Sequence, residues 1–241
     1  MNRTLATATR VLRQLRHDHR TMALLIIVPV LLMALVSWVF PAPVYARIGL
    51  LMLGIFPFIT MFLVTSIATL RERQTGTLER LLSMPLGRID FILGYQLAFG
   101  VVSLVQALVA VLVGVYLLGL TFAGPMWMAM LVAMSVAQLG TSLGLAVSAL
   151  AQTEFQAVQF MPAIVIPQFF LCGLFVPREQ LNEVLRPLSN AMPLSYAVDV
   201  LARISEAASL DADAWRKFGV IWCFVAGSVA IGSLTLRRRS I

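Results

Sequence analysis

Charge is what this chain has least of: 11 acidic and 18 basic side chains among 241 residues, 12% in all, against roughly a quarter in a soluble domain. No charged residue occurs between Asp90 and Glu154, and Lys217 is the sole lysine. The sequence therefore has no glycine-rich loop ending in Gly-Lys-Ser or Gly-Lys-Thr that could cradle nucleotide phosphates. Converging acids and bases for hydrolase or transferase chemistry are missing too, since Glu154 stands alone at a turn. Cys172 and Cys223 lie in apolar stretches and read as small packing groups, while His17 and His19 lack the further ligands of a metal site. No catalytic residue, no metal and no cofactor bound by this chain are expected. An ion-coupled secondary carrier would place carboxylates at mid-membrane or show interrupted repeat pairs, and neither is visible. The formal charge of +7 has no soluble basic domain behind it, so no nucleic acid is expected as a partner.

What the chain does have is apolar length, with 60% of its residues hydrophobic. Charge-free runs cover 21–46, 48–70, 91–153, 155–177 and 218–236, and about 20 apolar residues suffice for one crossing. As one helix the 91–153 run would be roughly three times the hydrocarbon thickness. It must fold back, and Gly119 to Pro125 is the punctuation at which it can. The expected fold is an all-α integral membrane protein, a single transmembrane domain over 1–241 with six spans at 22–40, 48–70, 91–118, 126–150, 155–176 and 218–236. An even number of spans puts both termini on one side. Twelve of the 18 basic residues fall on that side, in the tail up to Arg20, in the 71–90 loop and at Arg237 to Arg239, so both termini read as cytoplasmic and the location as the cell membrane. The first apolar run is too long for a secretion signal. Residues 1–21 suggest an amphipathic interfacial helix, with Leu5, Val11, Leu12 and Leu15 among arginines that can meet anionic lipid headgroups. The same arginines also serve positive-inside topology alone.

The 71–90 loop is the compact polar interlude. Thr75 or Thr77 can cap a short helix, Glu79 suits its first turn, and Pro85 disfavours its continuation. Leu78, Leu81 and Leu82 fall at i, i+3, i+4 and make one apolar stripe. Helices below about 12 residues are marginal in water, so the stripe needs a surface, either the membrane and neighbouring spans or another protein.

The string from Arg71 to Arg88, with Gly76 Thr77 Leu78 Glu79 and Pro85 in it, resembles the hallmark loop of the type 2 ATP-binding-cassette (ABC) transporter permeases of the drug and antibiotic export kind. Pro193 Leu194 Ser195 Tyr196 to Arg203 is similar to that family's second recurrent string, and Gly173 Leu174 Phe175 Val176 Pro177 to the stretch ending its fifth span. The likeness covers nearly the whole chain; Met84 stands where a Ser or Thr is more usual. It implies that the loop is a coupling helix on an ABC ATPase subunit, working through Glu72, Gly76, Thr77, Leu78, Glu79, Leu81, Leu82 and Pro85. It further implies two ATPase copies carrying ATP and Mg, and a second permease, identical or homologous. Cargo would be hydrophobic or amphiphilic small molecules, with lipid-linked polysaccharide or another lipid as the alternative.

Further candidates lie inside the runs. By family analogy the second and fifth spans border the translocation pathway, through Phe56, Phe58, Thr60, Phe62, Gln159, Phe169 and Phe170, although aromatics at this spacing also serve plain packing. Gln96, Gln106, Gln138, Gln159 and Gln168 are costly in lipid and should bond across helices or face water. Gly140 and Gly144 have the spacing that lets helices approach closely. Pro29, Pro57, Pro162 and Pro167 are expected to kink their spans. In the 177–215 segment Leu181, Val184, Leu185 and Leu188 recur at helical spacing, and Asp199 with Arg203 makes an i, i+4 pair. The family suggests short external helices there that re-enter the outer leaflet; the alternative is a solvated loop.

Overall fold

The computed structural model describes residues 3–77 and 87–235, which form nine α-helices and no strand among the described residues. They are α1 (Arg3–His17), α2 (His19–Val39), α3 (Ala42–Gln74), α4 (Arg88–Leu112) with a π-helical turn Val113–Leu117, α5 (Met126–Ser148) and α6 (Glu154–Leu171). After a 3₁₀ turn at Arg178–Gln180 come α7 (Leu185–Asn190), α8 (Pro193–Glu206) and α9 (Ala212–Thr235). Local signals fix several starts. Asp18 caps α2 by accepting from the Thr21 amide, Thr153 caps α6 by accepting from Gln156, and Asp90 accepts from the amide of Gly87 ahead of α4. Pro41 and Pro125 stand directly before α3 and α5, where a missing N–H is harmless.

Five of these helices have the length and apolarity to cross a membrane: α2, α3, α4 with its π turn, α5 and α9. Helix α6 covers most of the expected 155–176 span but is not among the five. It has 18 residues, which include Pro162, Pro167 and the glutamines 156, 159 and 168, and that polarity separates it from the others.

The bundle is organised on α3 and α5. A Cβ at Gly140 would sit 2.3 Å from the carbonyl oxygen of Phe58, and one at Gly144 2.5 Å from that of Phe62. The two backbones therefore touch, which only glycine allows. In lipid such direct van der Waals contact carries helix association. Around this seam lies the main core of Leu50, Leu53, Ile55, Phe58, Val132, Val136 and Leu201, all buried. A second core joins α1 to α4 through Ala8, Val11, Leu15, Phe91, Tyr95 and Phe99.

Four of the five intramembrane glutamines are buried and bonded. Gln96 and Gln138 exchange bonds, each amide donating to the other's backbone carbonyl at 3.0 and 3.1 Å, which clasps α4 to α5. Gln106 donates to the Leu25 carbonyl and to Thr60, joining α2, α3 and α4. Gln168 donates to Ile164 within α6 and accepts from the amide of Leu194. Gln159 is exposed.

The expected Asp199–Arg203 pair does not form. Arg178, reaching back from the 3₁₀ turn, donates to Asp199 at 2.6 Å and Lys217 approaches the same carboxylate at 3.0 Å, while Arg203 binds Asp211. Position decides this: Asp199 is only 21% exposed and sits between two cations, whereas Arg203 points to solvent beside the start of α9. Arg178 also donates to Ser189 and Asn190 and lies over the Tyr196 ring. The 177–215 segment is thus a packed cap with its own polar centre. Of the leucine repeat, Val184, Leu185 and Leu188 are exposed. Replacing Asp199 with Asn should lower the thermal unfolding temperature clearly, because two cations lose their shared anion. Asp211→Asn removes only an exposed pair worth about 0–1 kcal/mol and should do little. Equal shifts in the two variants would contradict this account.

Candidate functional site

The expected coupling residues straddle the described boundary. Glu72, Gly76 and Thr77 are described, while Leu78, Glu79, Leu81, Leu82 and Pro85 lie outside the described residues. Both flanks of that stretch are visible, and both are fastened.

On the near flank, α3 runs on to Gln74 and stops. The Thr75 hydroxyl donates back to the Arg71 carbonyl at 3.0 Å and lies 3.0 Å from the Thr77 hydroxyl, and Gly76 takes a φ of +69°, the left-handed turn that suits glycine after a helix. Glu72 points inward. Its side chain is 6% exposed and its two oxygens accept from the two terminal nitrogens of Arg10 on α1, at 3.0 and 3.2 Å. Such a bidentate pair fixes orientation as well as charge. Arg10 donates further to the Tyr95 hydroxyl of α4 at 3.2 Å and lies 5.9 Å from the centre of that ring. Tyr95 is held in turn between Phe91 and Phe99, at 4.6 and 6.3 Å between ring centres. Burial opposes the Arg10 charge, but Glu72 and Tyr95 together more than offset it and the guanidinium is held above its ordinary value.

On the far flank, Asp90 in the first turn of α4 accepts from the Thr4 hydroxyl of α1 at 2.9 Å. Helix α1 therefore grips the end of α3 and the beginning of α4 at once. A third set of contacts joins α3 to the α5–α6 turn. Arg71 pairs with Glu154 through bonds of 2.6 and 3.0 Å, Arg73 donates to the Ser148 carbonyl, and Gln74 donates to the Gln152 carbonyl at 2.8 Å. The Arg71 guanidinium holds the Glu154 carboxyl below the usual carboxylate range. Leu70, Ala151 and Ala157 pack beneath as a small core. A displacement of residues 78–86 must pull on α3 and α4, and through them on α1 and α6. The arrangement can pass on force.

Sequence alone points to Glu72 but not to the partners that give it meaning. Arg10 is 62 residues from Glu72 and 85 from Tyr95 along the chain, beyond any local periodicity. The available signal is a lone acid in a basic stretch next to a membrane span, which requires a cation.

The pathway candidates divide. Phe58 and Phe62 are fully buried against the α3–α5 seam and are packing residues in this conformation. Phe56 and Phe169 are partly buried against the main core, and Thr60 accepts from Gln106. Gln159 and Phe170 are exposed, with Phe170 stacked on Phe175 at 5.5 Å.

Known proteins resemble this chain in sequence. The chain is 28% identical over 179 residues to the probable multidrug ABC transporter permease YbhR of Escherichia coli, covering 73% of this chain and 47% of that protein. It is 24% identical over 168 residues to the linearmycin resistance permease protein LnrN of Bacillus subtilis, covering 70% and 43% respectively. To ABC transporter G family member 20 of Dictyostelium discoideum it is 25% identical over 178 residues, 73% of this chain and 24% of that protein. The chain thus spans between a quarter and about half the length of these relatives. The profile of one family, the ABC-2 type transporters, matches residues 3–204. With most of its length inside that match and five helices apolar enough to cross a bilayer, this multi-pass membrane protein belongs to the ABC-2 type transporter family.

Proposed function

We propose that this chain is the membrane permease subunit of an ATP-driven exporter that moves hydrophobic or amphiphilic small molecules across the cell membrane. One observation carries the reading: the stretch 78–86 is framed by two helix ends that α1 clamps together through Arg10–Glu72 and Thr4–Asp90. The short leucine-striped helix that the sequence leads us to expect over these residues would, on such a frame, act as a lever, and a lever serves a separate engine. In this reading the engine is an ABC ATPase, present in two copies with ATP and Mg, which takes the stripe of Leu78, Leu81 and Leu82 into a groove beside Glu79. Two permeases, identical or homologous, complete the assembly. Helix α6 is the sixth span, whose prolines and glutamines are sheltered by the neighbouring permease, and the side that carries α1 is cytoplasmic.

The names of the bacterial relatives, multidrug and linearmycin resistance, favour drug-like cargo. The pathway is then bordered by Phe56 of α3 and by Gln159 and Phe170 of α6, while Phe58 and Phe62 support it from within. An ion-coupled carrier is disfavoured because Glu72, the buried acid among the described residues, lies at a helix end and is neutralised by Arg10. Leu81→Asp with Leu82→Asp should abolish cargo-stimulated ATP hydrolysis in the reconstituted complex, or release the ATPase, while membrane insertion stays intact. Undiminished transport by that double variant would remove the basis of the reading.

A further inference from the structure

We infer that Arg178 is a releasable latch: it fastens the C-terminal end of α6 to the 177–215 cap, and it can let go without leaving the anion that receives it bare. The chain leaves α6 at Leu171 and turns at Gly173, whose φ of +95° lies in the left-handed region. Arg178 then comes back over that turn. A Cβ at Gly173 would stand 3.2 Å from the Arg178 Cγ, so the arginine stem rests on the turn itself. Its guanidinium reaches both helices of the cap. Nε donates to the Ser189 hydroxyl of α7 at 3.0 Å, one terminal nitrogen donates to Asp199 of α8 at 2.6 Å, and the other donates to the Asn190 side chain. Ser189 is fully buried and donates onward to the Leu171 carbonyl at 2.7 Å. The chain of contacts thus begins and ends at the last turn of α6. Cys172 is buried beside it, near enough to feel the charges of Asp199 and Arg178.

Asp199 is what makes the fastening reversible. Taking the only partner from a largely buried carboxylate would leave an uncompensated charge. Asp199 has two partners, because Lys217 of α9 stands 3.0 Å from the same oxygen that Arg178 contacts. When Arg178 leaves, Lys217 keeps the anion paired. Lys217 is itself steadied by Asp213, 3.2 Å away and one turn back on α9, so it does not follow the arginine. Arg178 sits on a 3₁₀ turn between the exposed Pro177 and Glu179 and passes into water on release. Closed and open states therefore differ by the hydrogen bonds of one arginine, the small gap on which local opening works. Pro162 and Pro167 give α6 places to bend behind the latch. The latch belongs to this chain alone and needs no ATPase.

The test reads Cys172 in the full-length protein in lipid nanodiscs, with Cys223→Ser so that Cys172 is the sole thiol. A charged, water-soluble methanethiosulfonate is added at a temperature where wild type reacts measurably, and the rate follows the open fraction. Arg178→Gln should react on the order of tenfold faster, from the loss of a charge-assisted hydrogen bond. Lys217→Gln should move the other way, to a rate about threefold slower, because opening would then bare Asp199. If the two cations merely stabilised the cap, removal of either would speed the reaction. A second reporter, Ser103→Cys with both native cysteines changed to Ser, is buried on α4 and should stay protected in Arg178→Gln. Three results each overturn the inference: a wild-type rate in Arg178→Gln, a rate in Lys217→Gln equal to or above wild type, or exposure of the Ser103→Cys thiol in step with Cys172.

Discussion

Gly140→Val should eliminate folded protein from the membrane. The new Cβ would stand 2.3 Å from the Phe58 carbonyl oxygen and 3.1 Å from the Phe58 Cα. A side chain in the way could rotate; a backbone carbonyl moves only if α3 moves. Overpacking ordinarily costs about 1–3 kcal/mol, and obstruction by backbone along the central seam belongs at or beyond the top of that range. Gly144→Val meets the Phe62 carbonyl at 2.5 Å and should behave alike. At Gly227 on α9 an added Cβ would meet nothing within 4 Å, so Gly227→Val should cost no more than roughly 0.5 kcal/mol. The measurement is the monodisperse fraction on size-exclusion chromatography in detergent at matched expression. Similar yields for the α5 and α9 variants would mean that the seam does not organise the bundle.

Arg10→Ala should cost nearly as much, through the link between helices. It strips Glu72 of its cation while leaving the carboxylate buried. Removing one partner of a buried pair costs about 3–5 kcal/mol, less here because the Arg10 side chain keeps 32% of its exposure. Arg10→Ala and Glu72→Ala together should be much milder than their sum, with a coupling energy above about 1 kcal/mol in a double-mutant cycle on thermal stability. The Arg71–Glu154 pair, 61% and 43% exposed, should give a coupling no larger than about 1 kcal/mol. In the proposed assembly with an ATPase the single Arg10 variant should lower cargo-stimulated hydrolysis without loss of membrane insertion. Additivity of the two alanine changes would show that α1 is merely adjacent to α3.

The membrane character of the chain was legible because it rests on run length and charge, which are linear properties. The Gly140 and Gly144 spacing was legible as close packing for the same reason: two small residues one turn apart leave a local mark. Contacts at long range left none. Arg10 looked like one more member of a basic tail, and its bond to Glu72 depends on α1 folding back onto α4 through Ala8, Val11 and Leu15. Helical spacing pairs Asp199 with Arg203, yet the chain turns at Gly173 ahead of Arg178 and α9 delivers Lys217, and these two cations take the carboxylate. Phe58 and Phe62 looked suited to a cargo surface because an aromatic in a span carries no sign of which side it faces. Helix α6 shows the limit from the other direction, since its glutamines and prolines make it less apolar than the run length alone suggested.

Two rods whose main chains touch at Phe58 and Phe62 form a single spar. Sliding one along the other would drive each glycine notch past the carbonyl it houses, so α3 and α5 travel together through any working cycle. Freedom to swing is left to the members pinned more lightly, α2 along its uncovered side and α6 with its prolines. A crosslink stapling α3 to α5 should leave turnover untouched, whereas one stapling α6 to α3 should stall it.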